Sequence, residues 1–146
     1  MHPPPPERRQ TLQTLQTLHW IVCERNQRWS NTVRRFHHDL VGKEIQAKIT
    51  THKVTSERPV TRPSDAVVFL WEVDRSNLVD SLDHLIQIGL SSSNHLQLVA
   101  SVGLSLSQRL ALSELNIAMF LQKPEEMPRC RPILRGYFAR LGDFVD

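Results

Sequence analysis

The chain has 146 residues, enough for one domain with a sizeable core and too few for two full ones. Hydrophobic residues make up 40% of the chain and charged residues 23%, which is the balance of an ordinary globular protein and excludes extensive disorder. No apolar run approaches the roughly 20 residues that a membrane helix needs, and two cysteines are too few for a disulfide scaffold. The net charge of +3 comes from scattered Lys and Arg residues, so we do not expect direct nucleic-acid binding. Together these features predict a single-domain cytoplasmic protein that does not contact a membrane.

Residues 1–17 differ in composition from the rest of the chain and predict a flexible leader. A run of four prolines favours a short polyproline II segment. Thr-Leu-Gln repeats follow, and their spacing of three would also suit a short amphipathic helix that docks on the domain or on a partner. We interpret this segment as a mobile leader before a domain that covers residues 18–146.

From residue 18 onward, short apolar runs typical of strands alternate with apolar stripes at helical spacing. The third helical stripe begins with capping-box spacing, Ser105 to Gln108. In chain order the sequence predicts strand Leu18–Cys23, helix Trp29–Leu40, strand Glu44–Thr50, a loop over 51–65, strand Ala66–Trp71, helix Leu78–Gly89, strand Leu96–Ser101, helix Ser105–Leu115, strand Ile117–Leu121 and helix Pro132–Leu141.

Strands that alternate with helices predict a parallel sheet with helices on both faces. Five strands in about 125 residues predict an α/β fold of the flavodoxin-like type, a three-layer sandwich. In such sheets ligands bind beyond the carboxyl ends of the strands. The candidate site residues are therefore those that end the predicted strands: Cys23, Glu24, Trp71, Ser101, Lys123 and Pro124.

The last two strand ends resemble the receiver domain of two-component response regulators. Receivers end their fifth strand in Lys-Pro with a switch aromatic three positions before the lysine, and Lys123-Pro124 and Phe120 match this pattern. Ser101 matches the switch Ser/Thr that closes the fourth receiver strand. The resemblance covers about residues 18–142 and implies a receiver-like fold.

The ends of the first and third predicted strands depart from the receiver pattern. Trp71 stands where receivers carry the aspartate that accepts phosphate, and an indole cannot form an acyl phosphate. Cys23 replaces one member of the acidic pair that holds Mg²⁺, which leaves Glu24 alone. Each lost carboxylate removes roughly 4 kcal/mol of attraction for a cation about 4 Å away at an effective dielectric constant of 20. We therefore expect no metal and no cofactor, and we expect Glu24 and Lys123 to neutralise each other directly or through water.

Other chemistry-bearing residues have simpler interpretations. His37 and His38 are adjacent on a predicted helix and point about 100° apart, so we interpret them as a solvated helix end rather than a metal site. Cys23 is expected to be a buried structural thiol whose pKa the neighbouring Glu24 raises. Trp71 either fills the core or forms an exposed recognition surface.

The resemblance implies a degenerate receiver that acts as a phosphorylation-independent protein–protein interaction module in signalling or transcriptional regulation, and not an enzyme. In receivers the fourth helix, fifth strand and fifth helix commonly carry partner or dimer contacts. Here that surface would span residues 105–141, with Ser101 and Phe120 beneath it. A protein partner or a symmetric homodimer through this surface is expected.

Two alternatives remain open at this point. The first is a noncanonical receiver that still binds phosphate or a small anion, with Lys123 and Ser101 as anchors. Asp74 or Glu24 would then be the phosphate acceptor. The second is a small flavodoxin-like enzyme that uses Cys23 as its nucleophile.

Overall fold

The computed structural model describes residues 17–53, 66–90 and 95–145. The order of strands and helices predicted for these ranges is confirmed. Most of the predicted leader and most of the predicted 51–65 loop lie outside the described residues. The elements are β1 Thr17–Cys23, α1 Arg28–Val41, β2 Gln46–His52, β3 Val67–Val73, α2 Leu78–Leu90, β4 His95–Ser101, α3 Leu106–Ser113, β5 Met119–Leu121, a 3-10 helix Pro124–Cys130 and α4 Arg131–Val145.

The five strands form one parallel sheet in the order β2-β1-β3-β4-β5. This is the flavodoxin-like order, with its topological switch point between β1 and β3. β2 lies at one edge of the sheet, and β5, with only three residues, lies at the other. The predicted α/β fold of flavodoxin-like type is therefore confirmed.

Two apolar clusters, one on each face of the sheet, make up the core. Trp20 belongs to the cluster beneath α1 and α4, and the next residue along β1, Ile21, belongs to the cluster beneath α2 and α3. This alternation follows from the two-residue period of a strand, and β3 is buried along its whole length because helices cover both faces. The Tyr137 hydroxyl fixes α4 to β3, since it donates to the Val67 carbonyl at 3.1 Å and accepts from the Val67 amide at 2.9 Å.

β3 is longer than the sequence predicts, and this changes the position of Trp71. Glu72 and Val73 continue the pairing with Ala100 and Ser101 of β4, and both are buried. The strand therefore ends at Val73, and the prediction that Trp71 closes it is wrong. In the sequence, Glu72 looks like the first polar residue of a loop, but its backbone pairs with Ala100 within the sheet.

The end of β2 and the segment after β5 also differ from the prediction. β2 continues to His52, which pairs with Cys23, so the first two residues of the predicted loop belong to a strand. The 3-10 helix Pro124–Cys130 follows β5 after two intervening residues and buries Met127 and Cys130 before α4 begins. This helix places the Lys-Pro dipeptide at the start of an additional turn.

Of the adjacent residues His37 and His38, only His38 is exposed to solvent. His37 is buried, accepts a hydrogen bond from Trp20 Nε1 on Nδ1 at 3.0 Å, and donates through Nε2 to the Ile45 carbonyl at 2.6 Å. Burial lowers the pKa of His37, which favours the neutral ring that these two bonds require. His38 is exposed as predicted, but the prediction of a solvated side chain is wrong for His37.

Candidate functional site

The predicted site residues lie near the carboxyl edge of the sheet, but at two different levels. Cys23 pairs with Trp71, Trp71 with Val99, and Val99 with Phe120, so three of them occupy one row across the sheet. Ser101 lies two residues further along β4, at the level of Val73. The edge at which ligands bind in this fold therefore begins beyond Cys23 and Trp71.

Trp71 is a core side chain, only 1% exposed. Its ring stacks on Phe69 at 5.5 Å between centroids and on His84 at 5.5 Å, with interplanar angles of 8° and 16°. Its Nε1 donates to Gln97 Oε1 at 3.2 Å, which satisfies the buried indole N–H. Of the two roles that the sequence leaves open, burial supports core filling and is incompatible with an exposed recognition surface.

The carboxylate of Glu24 caps the N-terminal end of α1. Its Oε1 accepts from the Trp29 amide at 2.7 Å and its Oε2 accepts from the Ser30 amide at 3.1 Å. Gln27, at the N-cap position, makes no side-chain capping bond, so buried Glu24 satisfies two of the free amides of the first turn. A negative charge at this end of a helix is also favourable to the helix dipole.

Asp74 follows β3 and organises the turn before α2. Its Oδ1 accepts from the Ser76 amide at 2.9 Å, the Ser76 hydroxyl at 2.7 Å and the Asn77 amide at 3.0 Å, and its Oδ2 pairs with Arg25 Nη2 at 3.0 Å. Slight burial opposes ionisation, but the hydrogen bonds from Ser76 and Asn77 and the charge of Arg25 outweigh it and lower the pKa of Asp74. The carboxylate is therefore ionised and engaged in the turn.

Glu72 is the third carboxylate at this edge, and it also accepts a hydrogen bond from the protein. It is buried, and its Oε1 accepts from the Arg25 amide at 3.3 Å. Across residues 17–53, 66–90 and 95–145, no three His, Cys, Asp or Glu side chains are grouped so as to hold a metal ion. The three acidic side chains therefore serve the local structure of the loops after β1 and β3.

The direct ion pair between Lys123 and Glu24 that the sequence suggests does not form, whereas a contact through water stays a prediction. Within the described part of the chain, the ion pairs are Arg25–Asp74 and Arg129–Glu126. Lys123 is exposed, and its backbone amide donates to Glu126 Oε1 at 3.3 Å. Two amides within 3.1 Å hold the Glu24 carboxylate instead, because a helix terminus lies closer to it than the exposed ammonium.

Neither cysteine has the environment of a reactive thiol. Burial, and to a smaller extent the charge of Glu24, raise the pKa of Cys23 to about 12. Burial raises the pKa of Cys130 to about 12 as well, although the charge of Arg129 opposes the shift. The thiolate is the nucleophilic form, and it is scarce at neutral pH in both positions. Cys130 Sγ lies 3.6 Å from Met119 Sδ, a contact that the sequence does not reveal.

A cavity of about 270 Å³ opens beyond the ends of β4 and β5. Residues from four segments line it: Arg28, Ser101, Val102, Gly103, Leu104, Arg109 and Gln122. The lining has two arginines and no acidic side chain, in contrast to the carboxylates beside β1 and β3. Ser101 is the predicted site residue that belongs to it, whereas Arg28 and Arg109 were missed by sequence reasoning. The available signal was Arg28 itself, a cation immediately before a predicted helix, where positive charge is unfavourable.

No family model matches this chain, and the search of curated proteins finds none that is similar to it. None of the helices within the described ranges has the length and apolar character needed to cross a bilayer.

Proposed function

We propose that the chain is a degenerate receiver-like domain that acts as a phosphorylation-independent protein–protein interaction module in cytoplasmic signalling or transcriptional regulation, without catalytic activity. The observation that carries this proposal is the state of the carboxylates at the sheet edge. Phosphotransfer on a receiver needs a free acceptor carboxylate and further carboxylates for Mg²⁺. Here Glu24 is bound to two α1 amides, and Asp74 is bound to its own turn and to Arg25.

Several features support the receiver part of the proposal. The strand order is the one that receivers share with flavodoxin. Ser101 ends β4, Phe120 lies within β5, and Lys123 follows β5 by two residues, as the resemblance requires. Phe120 is partly buried against the core beneath α2 and α3, so a change at this aromatic would reach those helices.

The interaction part of the proposal is supported by an exposed apolar stripe on α3. Leu106 is 64% exposed and Leu110 is 58% exposed, and they lie one helical turn apart on the surface predicted over residues 105–141. We propose that a second copy of the chain covers this stripe. A two-fold axis through α3 would set Leu106 of one protomer against Leu110 of the other, because a symmetric dimer uses the same patch twice. Ser107 and Ser113 beside the leucines suit the polar rim of such an interface.

Acetyl phosphate with Mg²⁺ is expected to leave the intact mass of the protein unchanged. Beryllofluoride is likewise expected to cause no Mg²⁺-dependent change in the melting temperature, because Glu24, Glu72 and Asp74 at the sheet edge are engaged in local structure. A known active receiver treated in parallel is the positive control. A single phosphoryl adduct that requires Mg²⁺ would contradict the proposal and make the protein a phosphorylation switch.

The variants Leu106→Ser and Leu110→Ser are each expected to weaken self-association by about tenfold or more, because each dimer loses two buried leucines. Sedimentation velocity over a concentration series measures this change. Val79→Ser is the matched control, since Val79 is an exposed apolar residue on α2, outside the proposed surface. All three side chains are exposed, so we expect the melting temperature of each variant to stay near that of the parent. A monomer at every accessible concentration, or an equal effect of Val79→Ser, would contradict a dimer through α3.

A further inference from the structure

We propose that the cavity at the ends of β4 and β5 binds a small oxyanion of the phosphate class, held without metal and without a covalent bond by Arg28, Arg109 and Ser101. The inference concerns a different part of the edge from the carboxylates and does not rest on the proposed function. It also differs from the anion site that the sequence suggests, because the exposed Lys123 is not among the cavity-lining residues.

The charge of the cavity is the first argument. Arg28 and Arg109 both line it, and neither pairs with a carboxylate in the described part of the chain. Arg28 is the first residue of α1, where the helix dipole disfavours a cation. The guanidinium carbon of Arg28 lies 5.9 Å from the centre of the adjacent Trp29 ring. An anion in the cavity would offset both the unfavourable dipole and the proximity of the two guanidinium groups.

Two of the cavity-lining residues, Arg109 and Ser101, have side-chain polar groups that make no hydrogen bond to another described residue. Arg109 Nε is buried and has no hydrogen-bond partner. Ser101 is only 6% exposed, and its hydroxyl makes no hydrogen bond to another described residue. Buried polar groups are nearly always bonded, so the unpaired Nε of Arg109 leaves this guanidinium available to a ligand in the cavity. Guanidinium forks and a hydroxyl are donors that suit the oxygens of a phosphate.

The size of the cavity and its apolar residues indicate the class of ligand. A volume of about 270 Å³ exceeds that of one phosphate ion and leaves room for water or a small organic group. Val102 and Leu104 belong to the same lining and provide apolar surface for such a group. Inorganic phosphate and a small phosphomonoester share the recognised chemistry, and the experiment separates them.

Isothermal titration with inorganic phosphate and with phenyl phosphate, both in EDTA, tests the proposal. We expect saturable binding at a single site that weakens as salt is added. Arg28→Gln and Arg109→Gln should each weaken binding by about tenfold, the usual effect of losing a charge-assisted hydrogen bond. Arg135→Gln removes an exposed arginine of α4 outside the cavity and should change the affinity less than about twofold. Clearly tighter binding of phenyl phosphate would identify an ester as the ligand, and equal affinities would identify the inorganic ion.

Two results would overturn the proposal. One is the absence of saturable binding of either compound at concentrations up to about 10 mM. The other is an equal loss of affinity in Arg135→Gln, which would indicate general charge attraction. Arg28 is exposed, so its variant tests the site even if Arg109→Gln fails to fold. Amide shifts of Gly103 and Gln122 in NMR spectra should accompany binding, and shifts confined to other residues would also contradict the site. A Mg²⁺-dependent covalent adduct would count against the proposed function and leave this inference intact.

Discussion

Replacing Trp71 by alanine is expected to lower the free energy of unfolding by about 3 to 5 kcal/mol, as for other buried aromatic residues. The indole lies between Phe69 and His84, and its removal leaves a cavity that these two rings cannot fill. Gln97 Oε1 would also lose its indole donor in the interior. Urea denaturation followed by far-UV circular dichroism measures the change. We expect a lower midpoint with an unchanged slope, because the fold and the surface exposed on unfolding stay the same.

The variant Trp71→Phe separates packing from hydrogen bonding. It keeps a ring between Phe69 and His84 and removes the N–H that serves Gln97, so we expect a smaller loss of about 1 to 2 kcal/mol. A loss below 1 kcal/mol for Trp71→Ala would mean that the side chain is not the core element that its burial indicates.

Replacing Glu24 by alanine is expected to lower the free energy of unfolding by about 2 to 3 kcal/mol. The change leaves the amides of Trp29 and Ser30 without their acceptor at a buried helix start. It also removes a negative charge from the positive end of the α1 dipole. Hydrogen exchange should then accelerate first in the amides of Trp29 and Ser30, before the amides of the sheet are affected.

The matched control for this prediction is Glu24→Gln, measured in EDTA. The amide oxygen of Gln can still accept one of the two bonds, so we expect a loss of about 1 kcal/mol. If Glu24 were a metal ligand instead, both variants would match the parent in EDTA and differ from it when Mg²⁺ is added. Equal and large losses in both variants would show that the charge, and not the capping geometry, carries the stabilisation.

The fold could be predicted because its signals are local and repeated. Continuous apolar runs such as Val67–Leu70 occur in a parallel strand covered on both faces, and the leucine spacing after Leu78 is helical. The Ser105–Gln108 capping box that the spacing predicts is present in full, with both reciprocal bonds. The 3-10 helix Pro124–Cys130 could not be predicted, because prolines at its start and within it resemble loop residues.

The candidate site was less predictable because it depends on contacts between distant segments. Glu72 has the polarity of a loop residue, and only the pairing with Ala100 shows that β3 continues past Trp71. The partner of Glu24 depends on which donor lies closest, and the first turn of α1 lies closer than Lys123. The cavity is assembled from the start of α1, the loop after β4, α3 and the residue after β5, so no single motif signals it.

The two edges of the sheet affect how the protein resists aggregation. Within the part of the chain that the structure describes, β2 has a strand neighbour on one side only, and an open edge can template the addition of a strand from another molecule. β2 counters this with exposed polar side chains that include Lys48 near its centre, and β5 offers only three residues for such pairing. Edge charges and very short edge strands are two devices by which natural sheets avoid amyloid-like growth. Both edge strands that the structure describes therefore carry a feature that disfavours strand addition.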